Sequence, residues 1–170
     1  MREGTSADEA LKLLREAHDA GRPYQLLLTD YKMPDMNGLD FTRALHSFDN
    51  GETAVIMLTG YNWDIIDDEA KSDGVDDVMA KPLFSDSLMR TICAVFERRS
   101  GVSRKTDDEK PEAEQSALAG RRILMAEDVD ANAEILADLL DLEEIESERA
   151  ENGQVHGRFL RYIAHSGSDR

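Results

Sequence analysis

Three polar residues of this 170-residue chain, Asp30, Thr59 and Lys81, each come directly after a segment that has the pattern of a buried strand. Ligands of parallel sheets bind beyond the carboxyl ends of the strands. The three side chains are therefore expected to converge at one edge of a sheet. An aspartate there can act as a metal ligand or a nucleophile, whereas an isolated Asp30 would more simply form a turn and cap the next helix.

A pair of acids, Glu127 and Asp128, follows a fourth apolar segment late in the chain. Three acids packed together without a cation repel one another, which favours a metal ion if these two meet Asp30. Each of these residues could also have a purely structural role. Thr59 can simply end a strand, Lys81 can be a solvated surface lysine, and the acid pair can cap a helix that begins near residue 132.

The segments between these residues predict alternating strands and helices. Strand–helix alternation produces a parallel sheet with right-handed crossovers, so the predicted fold class is α/β with a doubly wound parallel sheet. Strands are predicted over 24–30, 54–58 and 75–80; helices are predicted from Thr5 or Ser6 to Gly21, over 39–48 and 62–72, and from Ser85 or Asp86 to Arg99.

The composition changes after residue 99. Residues 100–120 are rich in Asp, Glu, Lys and Ser and predict a linker. Residues 121–154 resume the earlier pattern, with a strand, a helix over 132–144 and a short strand over 147–150. Residues 155–170 give no firm prediction, and a frayed helix or disorder is the expectation for this tail.

The overall composition excludes several classes of protein. Hydrophobic residues make up 41% of the chain, which is enough for a core, and the net charge is −16 with a pI near 4.5. Nucleic acid and anionic membranes are therefore not expected partners. The single cysteine, Cys93, lies on the apolar side of a predicted helix and is expected to fill the core. Neither a signal peptide nor a transmembrane segment is recognisable, so a cytoplasmic protein is expected.

Several of these motifs together closely resemble the receiver domain of bacterial response regulators and hybrid histidine kinases. The resemblance covers residues 5–99 and 121–154, and it implies a flavodoxin-like (CheY-like) fold. The matching motifs are Thr29-Asp30 with Met33-Pro34 and Asn37-Gly38, similar to the phosphoacceptor loop; Thr59-Gly60, similar to the switch hydroxyl; Lys81-Pro82, similar to the family lysine and its proline; and Glu127-Asp128, similar to the acidic pair after the first strand.

The order of the segments differs from that of a receiver. Residues 1–99 resemble its second to fifth helices, and residues 121–154 resemble the first strand, first helix and second strand that should precede them. The chain thus resembles a tandem-receiver segment of a hybrid kinase, with the back of one receiver followed by the front of the next. The second part is expected to complete the sheet in circularly permuted order or in a swapped homodimer; alternatively, the last 50 residues are loosely ordered.

The resemblance implies that Asp30 accepts a phosphoryl group from a histidine kinase or phosphotransfer domain. It implies Mg²⁺ as cofactor, bound by Asp30 and Asp128, by Glu127 directly or through water, and by the backbone carbonyl of Lys32. Lys81 would pair with Asp30 and then with a phosphoryl oxygen, and Thr59 would turn its hydroxyl toward the phosphate. A receiver catalyses its own phosphorylation and dephosphorylation, so no free-standing enzyme is expected.

The sequence also bears on two other functions. The broken order of the segments favours a non-catalytic receiver remnant that docks a kinase or scaffold. A phosphatase of the haloacid dehalogenase type would need an aspartate two residues after the nucleophile, and Lys32 occupies that position.

The receiver family often has an aromatic residue at the position of Val78, where it reports the state of the switch. Val78 therefore leaves open how the switch is coupled to an output. Trp63 is expected near the site.

Overall fold

The part of the chain that the structure describes forms one six-stranded sheet with helices on both faces. The computed structural model describes residues 6–34, 36–60, 67–101, 118, 120–127, 129–142, 145–151 and 154–157. The elements are α1 (Ser6–Asp19), β1 (Leu26–Asp30), α2 (Gly38–Asp49), β2 (Ala54–Thr59), α3 (Asp67–Ser72), β3 (Asp77–Ala80), α4 (Ser85–Ser100), β4 (Arg122–Ala126), α5 (Asp130–Leu142), β5 (Glu146–Glu151) and β6 (Gln154–Gly157).

The strand order is β3-β2-β1-β4-β5-β6, and the first five strands run parallel. This order confirms the predicted α/β doubly wound parallel sheet. Strands β1 and β3 each begin two residues later than predicted, at Leu26 and Asp77 instead of Tyr24 and Val75, although hydrogen bonds to the neighbouring strands reach further back. The N–H of Gln25 donates a hydrogen bond to the backbone oxygen of Arg122 in β4. The N–H of Asp76 donates to the Val55 oxygen, and the Asp76 carboxylate accepts a hydrogen bond from the N–H of Val55.

The segment after residue 120 completes the sheet within one chain. Strand β4 lies beside β1 in parallel, with Leu26 opposite Ile123 and Thr29 opposite Ala126. Without β4, the apolar strand β1 would present an unpaired edge, which is an aggregation hazard. The permuted completion of the sheet therefore occurs within the chain, and the swapped homodimer stays a prediction.

Two apolar layers cover the two faces of the sheet. Alternate residues of each buried strand point to opposite faces, so both faces of β1 are apolar. Cys93 is buried in the first layer, which confirms its prediction as core filler. The first layer includes Leu26, Leu28, Ile56, Ile123 and Met125 under α4 and α5, and the second includes Leu27, Met57, Leu124, Leu14 and Phe41 under α1 and α2.

Two predictions at element ends were wrong. The tail was expected to be a frayed helix or disordered, but Gln154–Gly157 forms β6, antiparallel to β5. The sequence held the signal, because Asn-Gly between two short runs is a strong hairpin indicator. Helix α4 was expected to be capped by Ser85 or Asp86; its N-cap is Phe84, and no side chain bonds to the cap. Thr5, Trp63, most of the predicted linker and residues 158–170 lie outside the described residues.

The amino ends of β4 and β5 are joined by a partly buried polar cluster. The guanidinium of Arg122 binds Glu148 at 2.9 Å and lies 4.3 Å from the centre of the Tyr24 ring. The Tyr24 hydroxyl donates a 2.6 Å hydrogen bond to Glu148, and burial together with this carboxylate raises the pKa of Tyr24. The cluster links the segment before β1 to the two strands of the later part.

The carboxyl end of α2 is closed by the side chain of Asp49. Its carboxylate accepts hydrogen bonds from the backbone N–H groups of Gly51 and Thr53 at 2.8 and 2.9 Å and lies 2.9 Å from His46 Nδ1. Although burial works against the charge, these bonds lower the pKa of Asp49 to about 2. The hydrogen bond to Asp49 in turn raises the pKa of His46, against the opposing effect of burial.

Asp49→Asn is expected to lower the free energy of unfolding at pH 7 by about 2 kcal/mol, since this follows from a carboxyl pKa about two units below its ordinary value. The stability from Asp49 is present above its ordinary pKa of 3.8 and is lost as pH falls through about 2. The stability contributed by protonated His46 is fully present below pH 6.5 and is lost as pH rises through the raised pKa of His46. Urea unfolding measured from pH 7 to pH 2 should therefore show the wild-type advantage over Asp49→Asn disappearing in acid.

The exposed Asp40, on the same helix, supplies the control for this experiment. Asp40→Asn is expected to change the free energy of unfolding by less than about 0.5 kcal/mol at any pH. A gap between wild type and Asp49→Asn that stayed constant down to pH 2 would contradict the assigned role of the carboxylate.

No helix among the described residues is long and apolar enough to cross a membrane.

Candidate functional site

Four of the predicted site residues meet at the carboxyl edge of the sheet. Asp30 ends β1, Thr59 ends β2, Lys81 follows β3 and Glu127 follows β4. They meet because β1 to β4 are parallel neighbours, so their carboxyl ends share one edge. An open pocket of about 450 Å³ lies there, lined by residues 30–34, Thr59, Gly60, Lys81 and Val129.

Lys81 bridges the two acids of the site. Its Nζ lies 3.2 Å from Asp30 Oδ2 and 2.7 Å from Glu127 Oε2. The side chains of Lys81, Asp30 and Glu127 are 20%, 12% and 2% exposed, so water screens these charges only weakly. One cation thus joins a carboxylate from the first part of the chain to one from the second.

The electrostatics of the site follow from this crowding. Burial, and then the neighbouring charge of Glu127, raise the pKa of Asp30 although Lys81 opposes the shift. Burial disfavours the charged form of Lys81, but the hydrogen bond and charge of Glu127, followed by the charge of Asp30, raise its pKa. The site therefore holds its lysine firmly protonated and carries an excess of acid that a second cation would relieve.

Glu127 is held by several neighbours that motif matching did not reveal. Its Oε1 accepts hydrogen bonds from the N–H of Val129 at 3.2 Å and the amide of Asn132 at 3.4 Å. The guanidinium of Arg149 contacts its backbone oxygen at 3.2 and 3.3 Å. The role of Arg149 depends on the pairing of β4 with β5, which no local sequence signal encodes.

The loop after Asp30 returns tightly against the strand at Gly38. The N–H of Gly38 donates a 2.8 Å hydrogen bond to the backbone oxygen of Tyr31. A Cβ at position 38 would lie only 2.8 Å from the backbone oxygen of Asp30. A side chain at position 38 would therefore push the loop away from Asp30. Asn37 caps α2 by accepting a bond from the N–H of Asp40 at 2.9 Å, which fixes the start of that helix.

Thr59 lies at the wall of the pocket and is almost fully buried. Its carbonyl accepts a 2.8 Å hydrogen bond from the N–H of Lys81, which ties the ends of β2 and β3 together. The peptide bond between Lys81 and Pro82 is cis. The backbone around Lys81 is thus anchored to the residue predicted to carry the switch hydroxyl.

The residues predicted to hold Mg²⁺ are described only in part. Asp30 and Glu127 share the lysine, and the N–H of Lys32 donates a 3.4 Å bond to Asp30 Oδ1. Asp128 lies outside the described residues, and among the others no group of three acid, histidine or cysteine side chains could hold a metal ion. The donor chemistry fits Mg²⁺, because this ion is usually bound through one or two carboxylates together with water.

Comparisons with known proteins find response regulators and their receiver domains. The family model described as the response regulator receiver domain matches residues 1–93. The cell cycle transcriptional regulator CtrA of Caulobacter vibrioides is 36% identical over 90 residues, covering 51% of this chain and 38% of that protein. The probable chemotaxis protein CheY of Rhizobium etli is 29% identical over 90 residues, covering 52% of this chain and 66% of that protein.

Solved structures are similar over about half of the chain. A response regulator receiver domain protein from Clostridium thermocellum has a TM-score of 0.47 and 24% identity, covering 56% of this chain and 75% of that one. The two curated relatives are each matched over less than two thirds of their own length.

Proposed function

Because its residues 1–93 match the family model, this chain belongs to the response regulator receiver domain family, and we propose that Asp30 accepts a phosphoryl group from a histidine kinase or a phosphotransfer domain. Receiver domains of response regulators act in two-component signal transduction. The observation that carries the proposal is the bridge of Lys81 between Asp30 and Glu127 at one edge of the sheet.

The reaction forms a bond between phosphorus and a carboxylate oxygen of Asp30 and breaks the phosphorus–nitrogen bond of a phosphohistidine donor. A carboxylate is a competent nucleophile for this transfer, and catalysis consists mainly of positioning and of stabilising charge on the phosphoryl oxygens. Lys81 stays protonated, with its raised pKa, and pairs with a phosphoryl oxygen as the carboxylate of Asp30 becomes an acyl phosphate. Thr59, at the pocket wall, turns its hydroxyl toward the new phosphate.

Mg²⁺ would be held by Asp30, Asp128 and Glu127 with the backbone carbonyl of Lys32, and it would supply positive charge to the phosphoryl oxygens. Support for this set comes from the two described carboxylates: burial, followed by the charge of Glu127, raises the pKa of Asp30. The Gly38 turn keeps the loop close to Asp30.

We further interpret the chain as a permuted receiver. Residues 1–99 correspond to its second to fifth helices, and residues 121–154 supply its first strand, first helix and second strand after a linker over 100–120. The parallel pairing of β4 between β1 and β5 supports this interpretation. The tandem-receiver origin and the cytoplasmic location stay predictions.

A small acyl phosphate tests the proposed function without knowledge of the partner kinase. The chain is incubated with acetyl phosphate and Mg²⁺, and its intact mass is followed with time. We expect the mass to rise by one phosphoryl group in the wild type, and to stay unchanged in Asp30→Asn because the amide is not a nucleophile for this transfer.

Chelation of Mg²⁺ should also suppress the rise in mass. A wild-type chain that gains no phosphoryl group under conditions that phosphorylate a known receiver would contradict the proposal. The non-catalytic docking remnant would then become the better interpretation.

A further inference from the structure

Arg149, near the carboxyl end of β5, joins both ends of the acidic turn that links β4 to α5. Its Nε and Nη2 lie 3.3 and 3.2 Å from the backbone oxygen of Glu127, and Nη2 also lies 2.8 Å from Asp130 Oδ1. The side chain of Arg149 is only 13% exposed, whereas that of Asp130 is 75% exposed. The guanidinium therefore reaches from β5 to Glu127, the residue that contacts Lys81 in the site.

We propose that Arg149 is a positioning residue that holds Glu127 at the phosphoacceptor site, an inference that rests on the proposed function. The parallel register places Arg149 opposite Met125, two residues before Glu127, so its side chain can reach the turn at the strand end. A planar guanidinium binds the carbonyl oxygen through two nitrogens and the Asp130 carboxylate at once. A lysine ammonium at this position lacks that fork.

The position of the Glu127 backbone decides where its carboxylate points. With the backbone oxygen fixed by Arg149, Oε1 is held by the N–H of Val129 and Oε2 is free to contact Lys81 at 2.7 Å. Loss of the guanidinium would leave the backbone oxygen of Glu127 without its hydrogen bonds from Arg149. The turn would then loosen, and Glu127 would be less well placed for Lys81 and for a metal ion.

The test compares Arg149→Gln with a matched variant, Arg122→Gln, in the full chain. Arg122 joins β4 to β5 through the carboxylate of Glu148, at the opposite end of the strands and away from the pocket. Arg149 instead joins β5 to the backbone oxygen of Glu127 and to the carboxylate of Asp130. Calorimetric titration measures the Kd for Mg²⁺, and hydrogen exchange followed by nuclear magnetic resonance measures the Val129 amide in metal-free protein. Arg149→Gln is expected to raise the Kd about tenfold, as is usual for residues that support metal ligands. It is also expected to raise the Val129 exchange rate, because a loosened turn opens locally more often.

Arg122→Gln is expected to leave both quantities at their wild-type values even where it lowers the melting temperature. Arg149→Lys should recover part of the loss, and it replaces the glutamine variant if that one does not fold. Equal Kd values and equal Val129 exchange rates in the two glutamine variants would overturn the inference.

The two readouts also separate this inference from the proposed function. A wild type that gains no phosphoryl group while Val129 exchange still speeds up only in Arg149→Gln would contradict phosphoacceptance and support the positioning role. A wild type that is phosphorylated, with unchanged Val129 exchange and Kd in Arg149→Gln, would support phosphoacceptance and contradict the positioning role.

Discussion

Residues 1–101 alone are expected to be unfolded or aggregated, although they contain the whole segment that matches the family model. Ending the chain at Gly101 removes β4 and β5 and leaves β1 as an edge with apolar side chains on both faces. Such an edge offers unpaired backbone groups to any other chain. The cooperative fold of the full chain should be lost.

The magnitude follows from the buried side chains that the shorter chain lacks. Each large apolar side chain contributes roughly 1.5 to 3 kcal/mol when it is buried, and a domain is stable by only about 5 to 15 kcal/mol. Losing several of them removes more free energy than the fold has in reserve. The fully or almost fully buried residues lost from the two layers include Leu118, Ile123, Leu124, Met125, Leu136, Leu140 and Ile145.

Circular dichroism during urea unfolding, together with light scattering, measures this effect. The matched control ends at Gly157 and keeps all six strands. It should unfold in one cooperative transition close to that of the full chain. A cooperative transition in residues 1–101 would contradict the role given to β4 and β5.

Lys81→Met is expected to lower the rate of phosphorylation by acetyl phosphate about 100-fold, the usual cost of removing one preorganised charge-stabilising group. Lys81 is the cation that contacts both Asp30 and Glu127 in the pocket. Without it the phosphoryl oxygens lose their fixed ammonium partner. The affinity for Mg²⁺ should be retained or increased, because the metal ion no longer competes with the ammonium for the two carboxylates.

The same substitution should lower the free energy of unfolding by roughly 3 kcal/mol in metal-free buffer, because it leaves two shielded carboxylates without their partner. Mg²⁺ should restore part of that loss. The control is Lys12→Met on α1, where the lysine side chain is 61% exposed and pairs only with Glu9 among the contacts described. A Lys81→Met chain that is phosphorylated at the wild-type rate would contradict the assignment.

The sequence predicted those parts of the site that depend on where strands end. Asp30, Thr59 and Lys81 follow three buried strands, and parallel pairing alone brings such residues to one edge. The pairing of Glu127 with this group needed more than local pattern, because it depends on β4 entering the sheet beside β1. The family order of segments suggested that placement, and the exposed apolar edge gave it a physical reason.

Other features could not be predicted because they depend on register or on competing local contacts. Arg149 supports Glu127 only because β5 pairs with β4 in one particular register. The N-cap of α4 is Phe84, whose backbone is extended, so Ser85 and Asp86 lie inside the helix and past the position where a capping side chain acts. Strand β6 was missed because the basic, mixed composition of the last residues outweighed the Asn-Gly hairpin signal.

One mixing experiment tests most directly whether a single chain assembles the phosphoacceptor site from its two parts. Phosphoryl incorporation from acetyl phosphate is measured in the wild type, in Asp30→Asn, in Glu127→Gln and in an equimolar mixture of the two variants unfolded and refolded together. We expect incorporation in the wild type and strong loss in both variants and in their mixture, because each chain builds its own site. Recovered activity in the mixture would show exchange between chains, and an inactive wild type would contradict the phosphoacceptor site itself.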